Sequence, residues 1–524
     1  MTRSTGAFQI STEADSRRLF YGAFLVTLVV KVWLAFVVPI TGDEALFYWW
    51  GVHPYWGYYD HPPMVGWMLA LLLQFGDAPI VLRLSTVAAT FCMALALIDL
   101  VQRLVPDSAN KKWVVGSLYL LTPLSWFGVP VTNDTPLMVF IFLSIYFFLR
   151  AEARSGEGRA TGISATLRPS VWFFATGIAL GLAFLSKYLA VVAAFGFIVA
   201  LFRPVRWGGH GPIYAAKAAA MIFISFLPFG VVNLVYNAYH CWNNIMFNLI
   251  NRNEGASVGI ENPFVYVVML VYLFTPWLLW SMARAGRSAR SNMLVLCLAV
   301  VPFVFFLVVS LVKTIGLHWV VGFMPMVFVL AAVQLSYSVL RSCLKWTAFF
   351  SVAHLVVFAA VFAWPQHWMG YKAGAKAMGF VYDAPALAAL AMQDAEADTK
   401  LMAEGYSPGS ILGYHAKRYV PVFGMGSRYA RQDDYQVDFR AIDGKTVRVV
   451  LRRERPPADF EPYFQSVAIR PLVLNGRNYW VVEGSGFDFA AYREQVLKEV
   501  ARRYYQIPGF LPVAACPFLE KYDL

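Results

Sequence analysis

Charge is what this chain has least of. Only 14% of its 524 residues are Asp, Glu, Lys or Arg, where about a quarter is usual for a soluble globular protein. That scarcity, beside 59% hydrophobic and 16% aromatic residues, excludes a disordered chain, a fibrous repeat and an ordinary cytosolic enzyme. Cysteine is also scarce. Five residues without a CxxC pair exclude a disulfide scaffold. HExxH and Walker-type patterns are absent, and Gly424-Met425-Gly426 lacks the rest of a nucleotide fingerprint. Nothing argues for ATP, NAD or structural zinc. The net charge of +12 orients loops in a membrane protein and does not imply nucleic acid.

What the chain does have is long apolar runs. A bilayer core needs about 20 apolar residues per helix. Eleven spans are predicted, at 19–40, 79–105, 113–129, 135–150, 171–186, 188–202, 213–236, 263–283, 292–312, 319–340 and 346–364. The N-terminal run follows Arg17-Arg18 without a small-residue cleavage site and reads as a signal anchor. Composition changes near Trp364–Pro365. Residues 1–364 hold 23 basic and 13 acidic side chains, whereas 365–524 hold 20 and 18 and have ordinary soluble composition. The expected organisation is an all-α polytopic membrane domain over 1–364 and an α/β or α+β domain over 365–524. In the second, Thr446–Leu451 and Tyr479–Glu483 read as strands and Asp488–Tyr505 as a helix.

Basic residues set the orientation. Alternate loops hold 18 of them: Arg3, Arg17 and Arg18; Arg103, Lys111 and Lys112; Arg150, Arg154, Arg159 and Arg168; Arg203, Arg206 and Lys217; Arg284, Arg287 and Arg290; Arg341 and Lys345. The opposite loops hold three, Lys187, Arg252 and Lys313. The N-terminus is therefore expected in the cytoplasm and the C-terminal domain outside it. Loop 150–168, rich in Gly, Ser and Arg, reads as a flexible linker.

The unusual polar residues gather on the outer side. Loop 41–78 has no Lys or Arg but carries Asp43, Glu44, Asp60 and Asp77. Its many Trp and Tyr residues suit short helices lying along the membrane–water interface. Asp134 marks the next outer tip. Lys187 sits mid-hairpin, since 32 residues between two cytoplasmic loops must turn once. Lys313 and His318 form a later tip. Ionisable residues at membrane depth tend to mark function, and together these outline a polar cavity open to the outside. Plainer readings stand beside this one. Lys187 serves equally as a snorkelling anchor, Asp134 as a helix cap, and Asp60-His61-Pro62-Pro63 as a turn. His240 and Arg252 read as ordinary loop residues. Cys241 and Cys516 fall on the same side, which permits a disulfide, but free thiols are the expectation.

Five segments then carry a resemblance. They are Thr41-Gly42-Asp43-Glu44-Ala45, Gly57-Tyr58-Tyr59-Asp60-His61-Pro62-Pro63, Val131-Thr132-Asn133-Asp134-Thr135-Pro136-Leu137, Gly181-Leu182-Ala183-Phe184-Leu185-Ser186-Lys187-Tyr188 and His318-Trp319. Together they resemble the GT-C membrane glycosyltransferases, in the branch of the protein O-mannosyltransferases and lipid A aminoarabinose transferases. The likeness is specific over about 19–190 and looser to 364. A further segment, Arg428–Asp434, is similar to some bacterial members.

The resemblance implies a donor sugar on a polyprenyl phosphate. It also implies inverting transfer to a lipid A, glycan or protein acceptor at the outer face of a bacterial inner membrane. The family's first-loop aspartate maps onto Asp43, beside Glu44; these are the catalytic candidates. A carboxylate takes the acceptor proton, and cations stabilise the leaving phosphate. Lys187 is the first choice for the latter, followed by His61, His318 and Lys313. Tyr58, Tyr59, Asp60 and Asp134 are expected to bind substrate. No ligand cluster singles out a metal, though a divalent ion is an alternative source of positive charge. Membrane lipids surround the helices, and the prenyl tail is expected between them. The competing reading is a transporter or flippase of a lipid-linked sugar, which needs charges on both sides of the membrane and commonly shows repeated halves.

Overall fold

The computed structural model describes residues 3–105, 108–155, 169–253, 258–285, 292–371 and 378–524. Arg159, Arg168, Arg287 and Arg290, and most of the 150–168 linker, lie outside the described residues.

The first ten helices build and position the site. They are α1 (Arg3–Val37), α2 (Gly42–Val52), α3 (Met64–Leu72), α4 (Pro79–Leu104), α5 (Ser108–Leu120), α6 (Pro123–Phe127), α7 (Asp134–Ser155), α8 (Pro169–Phe184), α9 (Val191–Leu201) and α10 (Pro212–Ala238). Each of the eleven predicted spans coincides with helix, but eleven full-length crossings are not seen. Among the described residues, seven helices are long and apolar enough to cross a membrane, or eight if one bent pair counts as a span. That pair, Glu261–Phe274 and Pro276–Ala285, meets at 94°. The breaks have a shared cause. Thr122 and Thr275 each precede a proline, whose ring disfavours helical backbone in the residue before it. Thr122 is extended, with φ −72° and ψ 146°, and Thr275 takes φ 65°.

The half-length helices α8 and α9 run between opposite ends of the bundle. At one end Lys187, between them, pairs with Asp134 at the start of α7. At the other, Arg203 after α9 pairs with Glu152 near the end of α7. Chain direction thus reverses at Lys187, as expected. Helix α8 lies close against α10, because a Cβ on Gly177 would stand 2.1 Å from the Ile222 carbonyl oxygen.

Beyond Ala363 the chain forms a four-stranded sheet flanked by helices. Its strands β1 (Lys400–Ala403), β2 (Val447–Leu451), β3 (Phe464–Leu474) and β4 (Arg477–Phe487) lie in the order β1-β2-β4-β3. The β1–β2 pair is parallel and the others are antiparallel. The β3–β4 hairpin turns on Asn475 and Gly476, both with positive φ, as a two-residue turn requires. The sequence indicated β2 and β4. It missed β1 and β3, whose patterns are shorter or interrupted by Pro471.

This region sits on the same end of the bundle as Asp134 and Lys187. Helix Tyr406–Ala416 packs on α2, so closely that a Cβ on Gly42 would fall 1.9 Å from Ser407 Oγ. The contact corrects the interfacial reading of loop 41–78. Phe47, Tyr48, Trp49, Trp50, Tyr58 and Tyr59 are all buried, most of them in a core shared with Ile411, Leu412 and Val450. Protein rather than headgroups covers them; Tyr55 and Trp56 remain exposed. The structure also joins Cys241 to Cys516 in a disulfide, against the expectation of free thiols. Residues 275 positions apart meet because the C-terminal tail folds back onto the end of α10.

Candidate active site

Helix α2 begins with a capping box. The Thr41 hydroxyl accepts from the Glu44 N–H at 3.2 Å, and the Glu44 carboxylate accepts from the Thr41 N–H at 3.1 Å, which satisfies two groups at a helix start that otherwise lack partners. The cap fixes two neighbouring carboxylates in opposite roles. Glu44 turns inward onto Arg83, with bonds of 2.9 and 2.7 Å, and also accepts from Val131 N–H. Arg83 donates further to the carbonyls of Ala35, Val38 and Pro39. Glu44 is 2% exposed and Arg83 fully buried. Glu44 is therefore a clamp joining the first loop to α4 and the 131 tip, which corrects its assignment as a catalytic group. Arg83, an arginine inside an apolar run, was the sequence signal for this clamp.

Asp43 faces the other way, into a cavity of about 370 Å³. Asp60, His61, Asp134, Lys187 and His318 line the same cavity, as do Phe47 and Thr132. Six expected site residues thus meet in one place. The Lys187 ammonium donates to both Asp134 oxygens, at 2.8 and 3.1 Å, and both side chains are largely buried. Asp134 lies in the first turn of α7, its N–H donating to the Thr132 hydroxyl at 3.2 Å while its carboxylate is taken up by Lys187. His61 lies 3.3 Å from Asp60, whose other oxygen accepts from Ala430 N–H. Burial raises the Asp43 carboxyl above its ordinary value, and the Asp60 charge raises it further. His61 and a hydrogen bond from Tyr406 offset part of that rise. The Tyr406 hydroxyl is itself pushed up to about 12, by burial first and then by Asp43 and Asp60. It stays protonated.

Three further expectations fail. Tyr58 stacks on Trp50 at 4.1 Å and donates its hydroxyl to the Trp50 carbonyl. Tyr59 is buried against Phe247 and Tyr505. Neither lines the cavity: Tyr58 packs between Trp50 and Gly66, and the docked C-terminal region covers Tyr59. Lys313 turns to Asn253 and lies 5.7 Å over the Trp319 ring; burial and Arg252 lower its pKa to about 8. It too is off the cavity wall.

Three residues not expected at the site do line it. Arg252 was read as a loop residue, yet it reaches the wall with its guanidinium 5.4 Å over Trp319. Tyr406 and Tyr429 come from the C-terminal region, and no local pattern links them to Asp43. Beside this cavity lies a second space of about 370 Å³, lined mostly by apolar side chains such as Ala89, Met93, Met138, Leu317 and Met324. The two share Thr132, Asp134 and His318, so a polar chamber opens onto an apolar groove. Among the described residues no group of three His, Cys, Asp or Glu side chains is placed to hold a metal ion.

A polar chamber on the end of a helical bundle is thus continuous with an apolar groove. Comparisons with known proteins add three likenesses. Residues 60–231 match the family model of dolichyl-phosphate-mannose-protein mannosyltransferases. Lipid A galacturonosyltransferase RgtD of Rhizobium johnstonii is 24% identical over 265 residues, 48% of this chain and 52% of that protein. The alignment thus spans about half the length of this curated relative. The fold is that of ArnT from Cupriavidus metallidurans. Its undecaprenyl phosphate complex superposes with a TM-score of 0.61 at 15% identity, covering 88% of this chain and 97% of that one. Its apo form gives 0.58 over the same shares.

Proposed function

We propose that this protein is an integral-membrane inverting glycosyltransferase. It moves a sugar from a polyprenyl-phosphate donor to a lipid, glycan or protein acceptor. The observation that carries this reading is the single cavity that sets Asp43 among Lys187, Arg252, His61 and His318 and opens onto the apolar groove. The groove takes the prenyl tail, so the donor stays in the bilayer. The cations face the donor phosphate and stabilise the charge it gains on leaving. Lys187 supplies the fixed positive charge, and Asp134 holds it in place.

In the transfer step the acceptor oxygen attacks the anomeric carbon from the side opposite the phosphate. The bond from that carbon to the phosphate oxygen breaks, and polyprenyl phosphate departs with the bonding electrons. Asp43 takes the proton of an acceptor hydroxyl. A phosphate acceptor has no such proton to lose, and Asp43 then orients it. Tyr406 shares the cavity wall with Asp43 and favours its ionised form. The cavity end and the C-terminal region face the periplasm, with the N-terminus in the cytoplasm of a bacterial cell. The 18-to-3 split of basic residues supports that orientation. Residues 1–364 act as the catalytic domain and 365–524 as a soluble domain that completes the cavity wall.

The test is release of polyprenyl phosphate by purified protein from a panel of polyprenyl-phosphate sugars. Release by the wild type, lost in Asp43→Asn, supports the reading. Release by Asp43→Asn at the wild-type rate sinks the role given to Asp43. Transport of intact donor across vesicles without any release sinks enzymatic transfer.

A further inference from the structure

A larger pocket, of about 640 Å³, lies between the first outer loop, the end of α10 and the C-terminal region. None of the residues lining it is Asp, Glu, Lys or Arg. Its walls are instead aromatic and amide side chains, chiefly Tyr55, Tyr236, Tyr419, Tyr435, Gln432 and Gln436. His240 also lines it. Burial lowers the His240 pKa, so the ring is neutral near pH 7. Its Nδ1 faces the Tyr236 carbonyl at 2.8 Å and carries the hydrogen, which leaves Nε2 as an acceptor.

Two observations mark the pocket as a place for a polar ligand. Gln436 Oε1 is buried without a hydrogen-bond partner, a state that usually calls for an absent partner. Gln432 spends its oxygen on the Tyr59 N–H at 2.9 Å, which leaves its NH₂ group as a donor. Aromatic planes receive the C–H faces of sugar rings, and amides pair with neighbouring hydroxyls. With no Lys or Arg in its lining, the pocket offers a phosphate or a carboxylate no fixed positive charge. The pocket also adjoins the catalytic cavity. Residues 430–432 form part of the partition: Ala430 lines the cavity, and Gln432 lines the pocket. The Cys241–Cys516 disulfide fixes the far wall, between His240 and Pro517.

We infer that this pocket is a second binding site, for uncharged sugar residues, and that its ligand is the glycan part of the acceptor. The last clause rests on the glycosyl-transfer reading, while the binding itself does not. The experiment uses the full chain in nanodiscs with maltotriose and chitotriose as probes, followed by saturation-transfer NMR and calorimetric titration. At least one probe is expected to bind. Tyr55→Ala and Gln436→Leu each weaken that binding at least about tenfold, whereas Asp43→Asn leaves it unchanged. Tyr55 is about half exposed, so its truncation spares the core, and Tyr55→Phe, which keeps the ring, retains binding.

The site is overturned if neither probe binds, or if binding survives both Tyr55→Ala and Gln436→Leu. Polyprenyl phosphate release by the same preparation separates the two readings. Release without saccharide binding removes the second site and leaves glycosyl transfer standing. Tyr55-dependent binding without release from any donor leaves the second site standing and removes glycosyl transfer.

Discussion

Helix α7 ends in an ion pair at each of its two ends, and the two pairs differ. Under the proposed orientation, Asp134 meets Lys187 at the outer end and Glu152 meets Arg203, at 2.7 Å, at the inner end. Both are buried, and both tie α7 to the ends of α9. The inner pair is sealed: Tyr214 donates to Glu152 at 3.1 Å and His210 lies 3.9 Å away. The outer pair lines a cavity beside Asp43, Arg252 and His318. A buried pair in an apolar protein is therefore not by itself a site. What separates the two is open space and further ionisable groups converging on it. The Glu44–Arg83 clamp teaches the same lesson one residue away from Asp43.

The largest break of this comparison is Asp43→Asn. Loss of a positioned base typically costs about 10²–10⁴-fold in rate, and turnover should fall by that range. Burial raises the Asp43 pKa in the folded state, so its ionised form opposes folding once pH exceeds that value. The neutral variant should therefore melt no lower than the wild type at pH 7, as thermal unfolding by fluorescence checks. Lys187→Met comes next. It should cost about 10²–10³-fold in transfer, the scale of one transition-state donor, along with some stability because Asp134 is left unpaired.

Arg203→Met is the counterpart at the sealed end. It strands Glu152, and breaking a buried pair costs about 3–5 kcal/mol. Stability should drop while the folded fraction keeps its turnover per active molecule. Equal loss of turnover in Arg203→Met and Lys187→Met would erase the contrast between the ends. The smallest effect is on pH dependence. Activity should rise with pH through the Asp43 pKa, above the ordinary value of 3.8. Asp60→Asn removes a charge that raises it, so the acidic limb of kcat/KM should move to lower pH.

Much of the outer end was legible in the sequence. An apolar chain that places Asp43, Asp60, Asp134, Lys187 and His318 in alternate loops leaves them one side on which to meet. Their helices were equally legible, because each apolar run is long. What was not legible depended on distant partners. Glu44 and Asp43 are neighbours in sequence, and only the position of Arg83 across the fold separates their roles. Arg252 reads as a loop residue until Trp319 and the cavity are in place. Tyr406, the disulfide and the burial of Tyr59 all follow from the docking of the C-terminal region, which no local pattern announces. The count of eleven spans is not confirmed: Pro123 and Pro276 interrupt two of the predicted runs, and Pro169–Phe184 and Tyr188–Leu201 are shorter than a full crossing.

The most direct measurement of the central claim is polyprenyl phosphate release from a polyprenyl-phosphate sugar, compared between Asp43→Asn and Arg203→Met in matched nanodiscs. The account predicts release by folded Arg203→Met at close to the wild-type rate and none above background by Asp43→Asn. Wild-type release by Asp43→Asn would contradict it.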